Sequence, residues 1–380
     1  MTTTAEATKT HDVVIVGAGI AGLALTRELH RRGISVVALE QRQQLIDAGL
    51  AINLPGNAVA ALRELGLGEE LKQFGFPINR REYRSSRGRL LFKIDEAAFW
   101  GKDHTPRCMR RSDLATMLAK DIPEDTIWHR RTVTSAVASD ESIRVTTAAG
   151  ERLSGKYLVG ADGVHSTVRK LCFPDDGKSV AELGHSSWRF IATNPGIDCW
   201  SVWMGEKAIV LLIPVTPQEV YCWATVTSDV SSAEGPAALL RHTEGFPVEP
   251  RRVLEEALSE PKSILVSPLN EIRLLQWSHK RAFLIGDAAH ATAPVWAQGA
   301  ALALEDSLVL AQLISEIDDP HRISDEFHRL RQQRVRHVRM MTDRASKIAR
   351  LPGYLRNIMM PLLGPLSYKR TYAPLKSRRP

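Results

Sequence analysis

The sequence predicts an α/β protein of more than one domain that ends in a long helix. Three observations carry this reading. The continuous apolar run Val13-Val14-Ile15-Val16 and residues 34–39, apolar but for Ser35, read as strands buried on both faces with an amphipathic helix between them. Two other stretches, residues 79–94 and 188–226, read as strands joined by short turns, the pattern of an antiparallel sheet. Finally, 380 residues exceed the roughly 250–300 that one hydrophobic core sustains.

Composition excludes several classes. At 44% hydrophobic and 24% charged residues the chain is ordinary globular material, not disordered, collagenous or coiled-coil. The formal charge of +7 is uneven: residues 320–380 hold 15 Lys and Arg against 3 Asp and Glu, a net +12 that leaves residues 1–319 at −5. The basicity belongs to the C-terminal segment, and no nucleic-acid recognition motif accompanies it, so no nucleic-acid partner is expected. Cys108, Cys172, Cys199 and Cys222 lack C-x-x-C spacing and read as reduced, packed thiols, neither disulfides nor a metal site. The polar start lacks a secretory apolar region. Residues 282–304, apolar on average, break into a strand, a Gly-Asp turn and an Ala-rich helix rather than a membrane span. A cytoplasmic location is expected.

The first motif opens the chain. After the strand at Val13, Gly17, Gly19 and Gly22 form G-x-G-x-x-G at the start of a helix that Gly33 stops. Gly17 permits a tight turn, Gly19 lets backbone N–H groups approach a pyrophosphate, and Gly22 lets helix and strand pack closely. Glu40 ends the second strand, 18 residues beyond Gly22, where an acid accepts bonds from a ribose 2′-OH. That acid would repel a 2′-phosphate, which leaves NAD or FAD.

Two later motifs repeat the logic. Tyr157-Leu158-Val159-Gly160 runs into Ala161-Asp162-Gly163, Ser166 and Arg169. The strand at 281–285 runs into Gly286-Asp287-Ala288-Ala289-His290, then Pro294, Gln298, Gly299 and an apolar helix. A carboxylate at a strand end suits a sugar or ribitol hydroxyl, and a helix N-terminus suits a carbonyl that becomes anionic on reduction. Asp162-Gly163 alone would be a plain turn. His290, tempting as a base, reads as a local hydrogen-bonding residue. No nucleophile elbow, zinc signature or P-loop is present.

With these three motifs in this order, and Arg110-Arg111-Ser112-Asp113-Leu114 between the first two, the whole chain resembles the single-component FAD-dependent aromatic hydroxylases, the p-hydroxybenzoate hydroxylase-like flavoprotein monooxygenases. The resemblance implies a Rossmann-like, glutathione reductase-type FAD-binding domain interleaved with a β-sheet substrate domain. It implies that Gly17, Gly19, Ala21 and Gly22 hold the FAD pyrophosphate, with Glu40 on the adenosine ribose. Arg42 and Arg111 would lie near pyrophosphate and ribose, the Val133 backbone at adenine, and Asp287 on ribitol or pyrophosphate-side groups. Pro294 and the turn Ala297-Gln298-Gly299-Ala300 would flank the isoalloxazine. Asp162, with Arg169 nearby, would serve FAD and NAD(P)H function. Where the family writes P-x-x-G-Q-G-x-N, this chain has Ala297 for the first Gly and Ala301 for Asn.

The boundaries expected are residues 1–76, 101–178 and 272–320 for the FAD-binding domain, 77–100 and 179–271 for the substrate domain, and 321–380 for a basic helix and tail. In the substrate half, Tyr221, Trp223 and Thr225 share one face of a strand. Tyr221 is the first candidate for substrate contact, with Trp203 and Arg189 behind it; the alternative is that these aromatics are sheet core. The activity implied is oxidation of NAD(P)H with O₂ to hydroxylate a small aromatic or N-heteroaromatic ring through a flavin hydroperoxide. G-x-G-x-x-G does not recur, which fits transient nicotinamide binding. The rivals are a flavoprotein reductase or oxidase, a halogenase, whose W-x-W-x-I-P spacing Trp200-Ser201-Val202-Trp203 does not match, and a non-catalytic nucleotide-binding protein. The state expected is a monomer or homodimer.

Ile323, Phe327, Leu330, Val338, Met341, Ala345 and Ile348 recur at helical spacing, predicting an amphipathic helix packed on the flavin domain. Its Arg331, Arg334, Arg336 and Arg339 are expected in solvent or at the stripe's edge. A membrane-surface or partner-docking role for the segment beyond is a secondary reading.

Overall fold

Strand Lys9–Val16 sits centrally in the first sheet, as its apolar half requires: Val13, Val14 and Ile15 are wholly buried. The computed structural model describes residues 9–44, 50–173, 180–226, 235–260, 264–349 and 351–377. Lys9–Val16 pairs in parallel with Arg152–Gly160 on one side and Val36–Leu39 on the other. Ala282–Leu284 adds in parallel beyond Arg152–Gly160, and Ile127–Trp128 beyond Val36–Leu39. The hairpin of Val133–Ala138 and Ile143–Thr147 pairs antiparallel with the first part of Arg152–Gly160.

The register has a direct consequence for the site. Val16 stands level with Leu39 and Gly160, and Gly160 with Leu284. The residues that follow these four strands therefore arrive together at one sheet edge: Gly17, Glu40, Asp162 and Asp287. Carboxyl ends of parallel strands are where such sheets bind ligands.

The second sheet runs in the order Leu265–Ile272, Val180–Thr193, Glu219–Val226, Ala208–Pro214, Trp200–Met204, Arg80–Ser85 and Leu90–Asp95. All its pairings are antiparallel except Trp200–Met204 with Arg80–Ser85. Period-two alternation gives it two apolar faces. On one, Trp188, Phe190, Trp203, Val210 and Leu212 form a core with Val253 and Leu254 of helix Val248–Ser259. On the other, Trp200, Val202, Ile213 and Tyr221 cluster with Ala51 and Cys108 of a small sheet formed by Ala51–Leu54, Arg107–Arg110 and Phe76–Pro77.

The C-terminal region departs from expectation in two ways. It holds two helices, Pro320–Ala349 and Gly353–Tyr372, where one was expected. The second continues through Pro361 and Pro365. Proline removes the N–H that would reach the carbonyl four residues back, and Arg89 Nη2 instead donates to the freed Asn357 oxygen at 3.2 Å. Second, the arginines of the first helix are not all solvated. Arg331 is 1% exposed and pairs with Glu305 at 2.9 Å and Asp306 at 2.7 Å. Arg334 pairs with Glu305 at 2.6 Å, and Arg339 donates to the Ile272 carbonyl. Two buried acids on helix Gly299–Glu316 draw Arg331 and Arg334 inward, because an unpaired buried carboxylate is costly. Arg378 and Arg379 of the tail lie outside the described residues.

Candidate functional site: a single cavity between the sheets

A cavity of about 1600 Å³ begins at the edge where the four strand ends converge and continues beneath the second sheet. At its first end the chain builds a cradle. A Cβ on Gly17 would stand 2.6 Å from the Ala161 carbonyl oxygen, and one on Gly22 would stand 1.9 Å from that of Gly17. Both glycines are needed for protein to touch protein. Gly19 is different: a Cβ there would meet no protein atom within 4 Å, so its space is the cavity's own. Gly19 also caps helix Ile20–Arg31 without any side-chain bond, leaving the first-turn N–H groups to an incoming acceptor.

Glu40 is buried and lines the same end. Its carboxylate accepts from the Ala18 and Arg42 backbone N–H groups, each at 2.9 Å, which fixes it beside the glycine turn. Asp162 lines the cavity and accepts from Ser166 Oγ at 2.5 Å and from the Thr167 N–H at 2.7 Å. Burial raises its carboxyl, opposed by these hydrogen bonds. Arg169 donates to the Val164 carbonyl at 2.6 Å and to that of Ala288 at 2.8 Å, tying the second motif to the third. Arg111 feels Asp287, Tyr221, Arg189 and Arg42; burial lowers its guanidinium while Asp287 opposes the shift.

Of the residues expected at a cofactor, Gly17, Gly19, Ala21, Glu40, Arg42, Arg111, Val133, Asp162, Asp287, Pro294, Gly299 and Ala300 all line this one cavity. Gly22 and Gln298 do not. Gly22 stands behind the turn, as its packing role requires. The Gln298 side chain turns into the protein, accepting from Asn57 Nδ2 at 3.0 Å and donating to Asn57 Oδ1 at 3.2 Å. Asn57 also donates to Glu305 at 2.9 Å, so the turn before helix Gly299–Glu316 is braced on the buried ion network of the C-terminal helix. Ala297, at the family's glycine position, has φ +53°, the left-handed region that favours glycine.

At the far end the lining becomes apolar and aromatic. Arg189, Trp200, Val202, Leu211, Ile213, Tyr221, Trp223 and Thr225 face in from the second sheet. Burial raises the Tyr221 hydroxyl well above its ordinary value, with Arg189 pulling the other way. Trp203 is a correction: strand alternation puts it on the opposite face, in the core under helix Val248–Ser259. Its neighbours Trp200 and Val202 hold the place expected of it. His290 does not line the cavity either; its Nε2 lies 2.6 Å from Asp306 Oδ2, both buried.

Sequence reasoning missed two contributors. Met359, Met360, Leu363 and Tyr368 of helix Gly353–Tyr372 close this end. Arg81, 1% exposed, lies 2.6 Å from Glu96 Oε1 and 4.4 Å from the Trp200 ring centre. No motif announces either one. The only signal for the helix was an unexplained Met-rich segment.

The donor set fits FAD: an open glycine cradle with free N–H groups, an acid beside it, then an aromatic chamber past a second helix start. Comparison with known proteins agrees. The family described as FAD binding domain matches residues 10–345. The 2-heptyl-3-hydroxy-4(1H)-quinolone synthase of Pseudomonas aeruginosa strain UCBPP-PA14 is 29% identical over 313 residues, 79% of this chain and 80% of that protein. The FAD-dependent urate hydroxylase of Klebsiella pneumoniae is 27% identical over 337 residues, covering 85% and 86%. A solved structure of Klebsiella pneumoniae HpxO complexed with FAD and uric acid shares the fold, with TM-score 0.85 at 22% identity over 97% of each chain. The chain belongs to the FAD binding domain family, the flavoprotein monooxygenase group that its three motifs resemble.

Proposed function

We propose that this protein is an FAD-dependent monooxygenase that uses NAD(P)H and O₂ to hydroxylate a small aromatic or N-heteroaromatic substrate. One observation carries the reading: a single cavity joins the glycine cradle to an aromatic chamber, so a cofactor held at one end reaches a ring held at the other. Bound FAD would supply the redox chemistry, accepting hydride from nicotinamide and activating oxygen. The chain's own residues bind, orient and shield. Gly17, Gly19 and Ala21 would receive the pyrophosphate and Glu40 the ribose, with Arg42 and Arg111 balancing charge. Asp287 and the turn at Pro294, Ala297, Gly299 and Ala300 would hold the ribitol and ring, and Asp162 would support the same end.

Tyr221, with Arg189 beside it, would orient a polar substituent of the substrate. Trp200, Trp223 and the last helix would exclude water around the reacting ring. The parallel order of the first sheet supports a Rossmann-like, glutathione reductase-type domain, with residues 77–100 and 179–271 as the substrate domain. The test is NAD(P)H oxidation and oxygen uptake across a panel of phenols and N-heteroaromatic acids. The expected result is a substrate that both speeds flavin reduction and yields an oxygenated product. Purified protein without flavin absorbance, or flavoprotein that oxygenates nothing on the panel, counts against the proposal.

A further inference from the structure

Helix Gly353–Tyr372 has two faces with different fates. One packs inward: Gly364 seats on Phe92, where a Cβ would stand 2.3 Å from the ring, and Tyr368 is buried. Along the other, Tyr354, Ile358, Leu362 and Leu366 recur every fourth residue and are 54–74% exposed. Single exposed apolar residues are ordinary, but a contiguous row of four marks an interaction surface.

The charges on the helix itself have one sign, and the acid at its start is Glu206, exposed beside Gly353. Nine Lys and Arg follow Asp343 in the sequence, and no Asp or Glu does. Arg356 is spent inside, donating to the Met204 and Gly205 carbonyls. Lys369 and Arg370, both exposed, stand one turn beyond Leu366 on the same helix. Arg89, exposed, reaches the helix at the Asn357 carbonyl, and Lys93 of the same hairpin is also exposed.

We propose that this face docks the protein on an anionic lipid surface, with the apolar row sunk among the acyl chains and the cations on the headgroup phosphates. A helix lying in the interface needs an apolar face with basic neighbours, and both are present. The helix does not cross: no helix among the described residues is long and apolar enough to span a membrane. A second copy of the chain fits less well, because an isologous pair would bring the basic ends of the two helices, with Lys369 and Arg370, into one interface.

Flotation of the FAD-loaded full-length protein with phosphatidylcholine vesicles, with and without phosphatidylglycerol, tests this. The expected result is co-flotation with the anionic vesicles, weakened by salt and on phosphatidylcholine alone. Leu362→Glu should reduce it about tenfold or more, and Ile358→Ser should reduce it in the same direction. The paired change Lys369→Gln and Arg370→Gln should remove the preference for anionic lipid. Flavin absorbance should persist in all of these, and Leu275→Glu, at an exposed apolar site elsewhere, should float like the wild type. Wild-type protein that does not float overturns the proposal, as does equal loss from Leu362→Glu and Leu275→Glu. A dimer that Leu362→Glu dissolves, without vesicle binding, would assign the face to self-association instead.

Discussion

Gly19 and Gly22 lie three residues apart and look alike in sequence, yet their substitutions should separate folding from binding. Gly19→Ala places a methyl in open cavity, so thermal stability of the apoprotein should hold while FAD affinity falls. Gly22→Ala drives a methyl onto the Gly17 carbonyl, so it should lower the thermal midpoint and lose flavin with it. Ala297→Gly should do the reverse of most glycine substitutions. The left-handed backbone costs alanine about 1–2 kcal/mol and glycine's extra chain entropy offsets only part of that, so urea denaturation should show a gain of about 0.5 kcal/mol. The buried acids set an acid limit. Burial would raise the Glu305 and Asp306 carboxyls, but Arg331 and Arg334 around the first, and His290 and Arg331 around the second, outweigh it and hold both below their ordinary 4.5 and 3.8. Groups depressed in the folded state stabilise it above the unfolded pKa and lose that contribution as pH falls through the folded one. Wild-type stability should therefore decline on acidification below about pH 4.5. Arg331→Met should cost about 3–5 kcal/mol at neutral pH and flatten that acid limb, read from urea midpoints across pH.

Among the elements, the last helix is the least anticipated. Gly364→Val should push it off Phe92, destabilising the fold by about 1–3 kcal/mol and raising KM more than it lowers kcat, because the displaced helix walls the substrate end. Steady-state kinetics beside a thermal melt would check both. What made other elements legible was local physics. Val13 to Val16 announce a doubly buried strand, and the hairpin turns around Gly205 and Pro217 announce strands, because period and turn chemistry are written within a few residues. The cofactor cradle was legible for the same reason. The helix Gly353–Tyr372 was not, since its two prolines argue against a helix and its support, Arg89 on the Asn357 carbonyl, comes from 268 residues away. The placement of Arg331 and Arg334 was missed likewise. Helical spacing shows which side is apolar but not that Glu305 and Asp306 wait on the facing helix. Trp203 was misplaced by one step of strand alternation, the smallest error a sheet permits and one that reverses which side a residue serves.

For the whole molecule, a cofactor held across one long cavity should govern stability. Ligand that binds only the folded state stabilises it by mass action, about 2.7 kcal/mol at a hundredfold excess over Kd. Stripping FAD should lower the thermal midpoint, and titrating it back should raise the midpoint continuously with concentration. The sheet register that sets Gly17, Glu40, Asp162 and Asp287 side by side also dictates a schedule. The first of these residues leaves the ribosome roughly 270 residues before the last, and a domain can close only on contacts already synthesised. The nascent chain must therefore carry a half-built nucleotide site, with strand Arg152–Gly160 lacking its neighbour Ala282–Leu284, until most of the protein has been made. Flavin capture belongs to the end of synthesis, and the helix that walls the substrate chamber arrives later still.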